Sequence, residues 1–344
     1  MKDMKVNNIR RMLSALSILF VWLSPASVLS QTQQGLIEGA KKEGKVVWYG
    51  SLSLEDIKRL ANAFEKKYPF IKVEPFRASG EKLANKILTE TRAGRHLYDL
   101  VATGAFEIWP LYKRGLLGKY VSPESKPYGA DFKDPEGAWV DLYDNYYVVG
   151  YNTKLVSKKD APKNWEDLLD PRWKSKFSMD NEDYEWYMAM LAFMGEEKGK
   201  GYMRRLAKQD IQWRKGHTLI AQQVVAGEFP TALIYAHRAE KMRPQGAPID
   251  WEPSQNPIVS GMRVVSIGAR PPNPNAAKLL LDYVISKDGQ NLIRSFDRIP
   301  AHPDVEPLSP RLDPKKLKIF PAAPNLAENS DRHIREFREI FELK

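Results

Sequence analysis

The 344-residue sequence contains no cysteine. That absence excludes disulfides, thiolate metal sites, a thiol nucleophile and a lipidated cysteine, and leaves any chemistry to oxygen and nitrogen. Histidine is scarce: His96, His217, His237, His302 and His333 show no HxxxH or HxH spacing, and no helix motif pairs glutamate with histidine. There is no GxSxG elbow, no Walker loop and no GxGxxG after a strand, and Ser, His and Asp occur without a spacing that sets a triad. Beyond Leu23 no apolar run approaches the roughly 20 residues a bilayer span requires. A dense Lys/Arg block is also missing, so the net charge of +10 does not point to a nucleic-acid partner.

What is present is a hydrophobic content of 43%, enough for one large domain or two ordinary ones. The charge is uneven at the start: Lys2, Lys5, Arg10 and Arg11 stand against Asp3 alone, and without the first thirty residues the balance is +7. Met12 to Leu23 are almost wholly apolar, and Ser24 to Ser30 are mostly small, with Val28 and Ser30 suiting a cut before Gln31. This three-part pattern predicts a secretory signal peptide over residues 1–30, cleaved near Ser30, the alternative being an uncleaved anchor. The expected destination is the periplasm.

From Gly44 short apolar runs alternate with amphipathic ones, the rhythm of an α/β fold. Strands are expected at 45–49, 71–76 and 97–102, followed by helices at 54–67, 81–92 and 106–114. A strand at 146–151 leaves this set, and a second set follows: strands at 176–179, 211–214 and 231–235, with helices from about Asp183, at His217–Ala226 and from about His237. A long strand at 261–269 returns to the first set, ahead of a helix at 276–286. Two crossings predict two discontinuous lobes on a hinge: 31–145 with 261–305 as lobe one, and 146–260 as lobe two. Residues 306–344, with a helix around 331–343, are expected to pack on the outside.

In open α/β lobes ligands bind at the carboxyl ends of strands, where loops enter helix N-termini. The candidates there are Ser51, Ser53, Ser79, Gly80, Thr103 and Gly104 in the first set. The second set offers Asp180, Tyr184, His217, Thr218, Tyr235, His237 and Arg238. Ser53, Ser79 and the aspartates serve equally well as helix caps, and of Tyr184 and Trp186 only one can face a cleft. Arg238 is the expected counter-ion for an anion, because its planar fork pairs with carboxylate or phosphate. Tyr235 with Asp180 or Asp183 would suit a hard cation.

These phrases, GKVVWYGSLS, LANAFEKKYPFIKVEPFRASG, DLVATG, KRGLLGKYVSP, VGYNTKLV, APKNWEDLLDPRWKSKF, VVAGEFPTALIY and NPNAAKLLLDYVISKDGQ, run in order across about 250 residues. By them the chain resembles the extracellular solute-binding proteins of ABC importers, in the branch that includes ferric-iron binders. The resemblance implies a two-lobe type II periplasmic binding fold, a small-molecule solute, a permease partner, a monomer, no cofactor and no catalysis. It further implies a histidine after the first strand, a glutamate after the third and a tyrosine pair after the last strand of lobe two. The matching positions here are Ser53, Gly104, and His237 with Arg238. An anionic or polyol-like organic solute, such as a carboxylate or phosphonate, is therefore expected. The alternatives are a ferric-iron receptor, whose ligands would be Tyr235, Asp180 and His237, and an exported hydrolase using His217 or His237 as base.

Overall fold

The computed structural model describes residues 25–343, with side chains from residue 33. The first 24 residues of the expected signal peptide lie outside the described residues. The chain divides into two units, 1–35 and 36–344. The described part of the first is helical, since α1 runs Pro25–Glu43 and so begins before the expected cleavage point. Among the described residues no helix is long and apolar enough to cross a membrane.

The second unit alternates strand and helix through β1 (Lys45–Gly50), α2 (Leu54–Lys67), β2 (Lys72–Arg77), α3 (Gly80–Arg92), β3 (Leu100–Gly104) and α4 (Ala105–Lys113). Helix α2 shows how sequence sets the rhythm. Ser53 Oγ accepts from the Asp56 N–H at 3.0 Å to cap its start, and Glu55 and Asp56 oppose the positive end of the dipole. Ile57, Leu60, Ala61 and Phe64 form the buried stripe, each large side chain contributing about 1.5–3 kcal/mol by leaving water.

The long strand β4 (Val140–Asn152) is followed by β5 (Phe177–Asp180), α5 (Tyr184–Met194), α6 (Glu196–Ala207), β6 (Gln212–Arg214), α7 (His217–Ala226), β7 (Thr231–Tyr235), α8 (Ala236–Met242) and β8 (Ile249–Trp251). Then come β9 (Ile258–Ile267), α9 (Pro274–Ile285), α10 (Lys287–Arg294), β10 (Ile299–Pro300), β11 (Ile319–Ala322) and α11 (Ser330–Ile340). The strands join in the order β2-β1-β3-β9-β4-β7-β5-β6, with β8 and β10 on β4 and β11 on β9. Two parallel groups, β2-β1-β3 and β7-β5-β6, thus flank the antiparallel pair of β4 and β9, which links them.

Each group buries its own apolar side chains. Trp48, Leu60, Phe64 and Leu280 pack on one face of the first and Leu83, Ile87, Val101 and Ile108 on the other. Around the second, Met179, Trp186 and Leu233 form one cluster and Val148, Ile220, Ile234 and Trp251 another.

Several boundaries differ from the pattern-based expectation. β4 begins at Val140 rather than Tyr146, because Asp141, Asp144 and Asn145 are polar yet buried within it, along with the rest of its thirteen residues. β9 likewise starts at Ile258 rather than Gly261. The tail is more than an outer cover. β11 pairs in parallel with β9 from Ile319 opposite Ile258 to Ala322 opposite Gly261, and Ala322 and Phe337 are fully buried.

Candidate functional site

The carboxyl ends of β3, β5, β6 and β7 converge beside β4 and β9, and the side chains there form two contrasting clusters. The first centres on Arg263 of β9, whose backbone pairs with Gly104 at the end of β3. Its Nη1 lies 3.2 Å from both carboxylate oxygens of Glu185 in the first turn of α5. Tyr147 of β4 donates its hydroxyl to Glu185 Oε2 at 2.9 Å. The Tyr235 hydroxyl, at the end of β7, is 3.5 Å from that of Tyr147. His217 stacks obliquely on Tyr235 with ring centres 4.0 Å apart, and its Nε2 meets Asp183 Oδ1 at 2.9 Å.

Each charge responds to this setting. Burial alone would lower the His217 pKa, but the Asp183 carboxylate overrides it and raises it. Burial likewise disfavours the Arg263 cation, and Glu185 more than restores it. Glu107, in the first turn of α4, is pushed up by burial, with Arg263 offsetting part of the effect. Its carboxylate fills the space beside Gly80 and Gly104. A methyl group on Gly104 would strike a Glu107 oxygen and lie 3.5 Å from Arg263 Nη1. Glu107, three residues beyond the position at which the resemblance places a glutamate, thus has its carboxylate beside Gly104.

The second cluster follows β7. His237 is only 2% exposed, and among the described residues neither ring nitrogen has a partner. Burial, then Arg238 and Arg298, hold its pKa well below the usual histidine range, so it is neutral at pH 7. Arg238 is half-buried, its Nε has no partner, and among the described residues its guanidinium makes no hydrogen bond or ion pair. Arg298, ahead of β10, bonds Asp56 of α2 at 3.1 Å and lies over the Tyr143 ring.

Of the residues expected from sequence, the structure brings together Thr103, Gly104 and Gly80 around Glu107, and His217, Tyr235, His237 and Arg238 around the end of β7. Thr103 Oγ1 is buried and has no partner among the described residues. Ser51 closes on the Ala102 carbonyl. Others are turned to structural work. Ser53 caps α2, and Ser79 is exposed with no capping bond. Asp180 accepts from the N–H groups of Glu182 at 2.9 Å and Gly216 at 2.6 Å, which occupies both its oxygens. Tyr184 accepts from Arg338 and rests on Phe337, so it faces α11, while Trp186 is core. Thr218 is exposed. The iron set of Tyr235, Asp180 and His237 is thus not a set of free donors, because the Asp180 oxygens are already bonded.

Sequence reasoning missed Glu107, Tyr147, Glu185, Arg263 and Arg298. The available signal was a lone charge inside an otherwise apolar segment, as with Arg263 in GMRVVSIGA and Glu185 in YEWYMAMLAFM. The same signal marks Asp141 and Asp144 of β4. These stand at a break in register with β9, and Ser260 donates to Asp144. Burial raises Asp144 to about 7 against the hydrogen bond from Ser260, and Asp141 is raised well above its ordinary range. Among the described residues one trio of His and acidic groups has metal-ligand spacing: Glu196, His333 and Glu336, away from this site. There Lys200 and Arg332 already neutralise the carboxylates.

Residues 59–324 match the family of bacterial extracellular solute-binding proteins. A putative 2-aminoethylphosphonate-binding periplasmic protein of Salmonella typhimurium is 23% identical over 210 residues, covering 58% of this chain and 62% of that protein. Among solved structures, AfuA of Actinobacillus pleuropneumoniae with exogenous fructose-6-phosphate bound matches at a TM-score of 0.74 and 24% identity, over 88% of this chain and 99% of that one. Iron-bound HitA of Pseudomonas aeruginosa matches at 0.74 and 20%, over 86% and 99%. The fold is that of the type II periplasmic binding proteins.

Proposed function

The chain belongs to the bacterial extracellular solute-binding proteins, and we propose that its solute is a small organic phosphonate or phosphate ester. Proteins of this family act in the periplasm, bind small-molecule solutes and deliver them to the permease of an ABC importer. They are binding proteins and not enzymes, so the hydrolase alternative falls.

The observation that carries the choice of solute is Arg238. Among the described residues this half-buried guanidinium makes no hydrogen bond or ion pair, Asp297 offsets its charge only from a distance, and an incoming oxyanion satisfies it bidentately. Glu107, turned over Gly104, suits the opposite end of such a solute, an ammonium or hydroxyl group. Both ligands named for the relatives, 2-aminoethylphosphonate and fructose-6-phosphate, combine a phosphorus oxyanion with groups of that kind.

In this reading the two parallel strand groups are the lobes, with boundaries near 145 and 261, and β4 and β9 carry the hinge. A solute touched from both groups shifts the population toward the closed form. The protein acts as a monomer after cleavage between Ser30 and Gln31. Ferric iron is the second reading, supported by the facing hydroxyls of Tyr147 and Tyr235, but Arg263 beside them places a positive charge where a ferric ion needs anions.

The test is calorimetric titration of the protein with 2-aminoethylphosphonate and fructose 6-phosphate, paired with melting of metal-stripped protein in ferric iron and carbonate. Saturable binding of either organic ligand with no iron shift supports the reading. A melting shift with iron and no organic binding overturns it, since a ligand at one hundred times Kd stabilises by about 2.7 kcal/mol.

A further inference from the structure

The segment that follows β11 touches both strand groups. A short 3-10 helix, Pro324–Asn329, packs on α4 of the first group and on α5 of the second, with Pro324 and Ala327 buried. Just ahead of it Ala323 rests on the cluster of Leu83, Ile87, Val101 and Ile108. Within it Leu326 rests on the cluster of Met179, Trp186 and Leu233. One short stretch of chain thus lies against the apolar side chains of both groups.

Its two sides are fastened differently. Toward the first group Glu328 accepts from the Trp109 indole N–H at 2.8 Å and from the Lys113 ammonium at 3.0 Å, both on α4. Toward the second group α11 seats the fully buried Phe337 against Tyr184 and Tyr187 of α5. It also joins α6 through Arg332 to Glu196 at 2.7 Å and Lys200 to Glu336 at 2.9 Å. The hold on α5 is therefore a packed aromatic core. The bond to Lys113 on α4 is a surface ion pair, with both side chains about half exposed, and such pairs are weak. Of the two holds, the one on α4 is the easier to release.

We propose that residues 323–340 form a brace, anchored on the second strand group through α11 and latched to the first by Glu328, that limits how far the two groups turn about β4 and β9. The inference rests on the reading of those groups as lobes and gives them a third connection besides the two strands. A weak latch suits this role. The conformers of a receptor differ by small free energies, so an exposed contact made in one and lost in another shifts their ratio by up to about fivefold. A buried contact in its place would hold the groups in one arrangement.

Because the chain has no cysteine, Lys58→Cys on α2 and Gln222→Cys on α7, both at exposed positions, admit one nitroxide label each. Pulsed electron resonance on the full chain without solute then reads the distribution of distances between the two groups, with melting temperature as control. Glu328→Lys sets like charges against Lys113 and removes the acceptor for Trp109, so it is expected to broaden the distribution or move its maximum at unchanged melting temperature. Adding Lys113→Glu re-forms the pair in reverse and is expected to narrow it again. Ala327→Trp, which wedges the helix away from α4, is expected to broaden it further. A wild-type distribution that is already broad and is unchanged by Glu328→Lys and Ala327→Trp overturns the brace and leaves the lobes standing. A narrow distribution unchanged by both overturns the brace and the lobes together, while the solute class keeps its own test in the titrations above.

Discussion

Two polar clusters sit within a few residues of each other at the ends of the same strands, and they are finished to different degrees. Around Arg263 the charges answer one another: guanidinium to Glu185, Glu185 to Tyr147, Tyr147 to Tyr235, and His217 to Asp183. Around His237 they do not, since an imidazole and the Arg238 guanidinium have no hydrogen-bond partner among the described residues. Buried polar groups left unmet cost stability, and a fold keeps them where a ligand completes them. Under the proposed function the comparison separates scaffold from receptor: Arg263 ties β9 to α5 through Glu185, and Arg238 is the group left for the solute.

The largest effect that tests this contrast is Arg263→Ala. It strands Glu185 and Glu107 without their cation, and loss of one partner of a buried pair costs about 3–5 kcal/mol. Urea denaturation is expected to show that loss, and a change under 1 kcal/mol would mean the network is not what secures the scaffold.

A second expectation concerns pH. Asp144 rises from its ordinary 3.8 to about 7 because burial disfavours its charge. The native state therefore holds a proton that the unfolded chain has released, and Asp141 beside it is raised too, so stability falls as pH rises from about 4 through 7. Asp144→Asn keeps the contact to Ser260 and removes the titration, so the fall becomes shallower. An unchanged slope in denaturation series at several pH values would assign the dependence elsewhere.

Arg238→Ala is expected to do the reverse of Arg263→Ala. Affinity for an organic phosphonate or phosphate drops more than tenfold, about 1.4 kcal/mol, while the melting temperature holds or rises slightly. Equal affinity in calorimetry would take Arg238 out of the site. The smallest effect sharpens the same division. Ser53→Ala removes the cap of α2 and costs about 1 kcal/mol in stability, with no change in affinity. A matching loss of affinity would return Ser53 to the list of ligand contacts.

Local pattern was sufficient for the elements that hold an amphipathic stripe between clear stops. Helix α2, from its Ser53 cap to Tyr68 just before Pro69, and helix α7, from His217 to Gly227, fall where periodicity and turn residues put them. The same local logic placed candidates at the carboxyl ends of strands, and His217, Tyr235, His237 and Arg238 do gather there. It could not tell which of them is already used. Asp180 spends its oxygens on backbone N–H groups of two different loops, and Tyr184 turns to a helix more than 140 residues away, contacts that only the folded chain creates.

The order of the strand and helix segments determined by itself that the fold is α/β, and the ordered phrases from GKVVWYGSLS to NPNAAKLLLDYVISKDGQ carried the resemblance to the solute-binding proteins. Tertiary structure alone decided how the cleft is charged. Arg263, Glu185, Glu107 and Arg298 are separated by up to 191 positions in sequence, and each is unremarkable in its own segment. They come to lie inside one fold because β4 and β9 link the two strand groups, and burial there makes the presence or absence of a partner decisive for each charge.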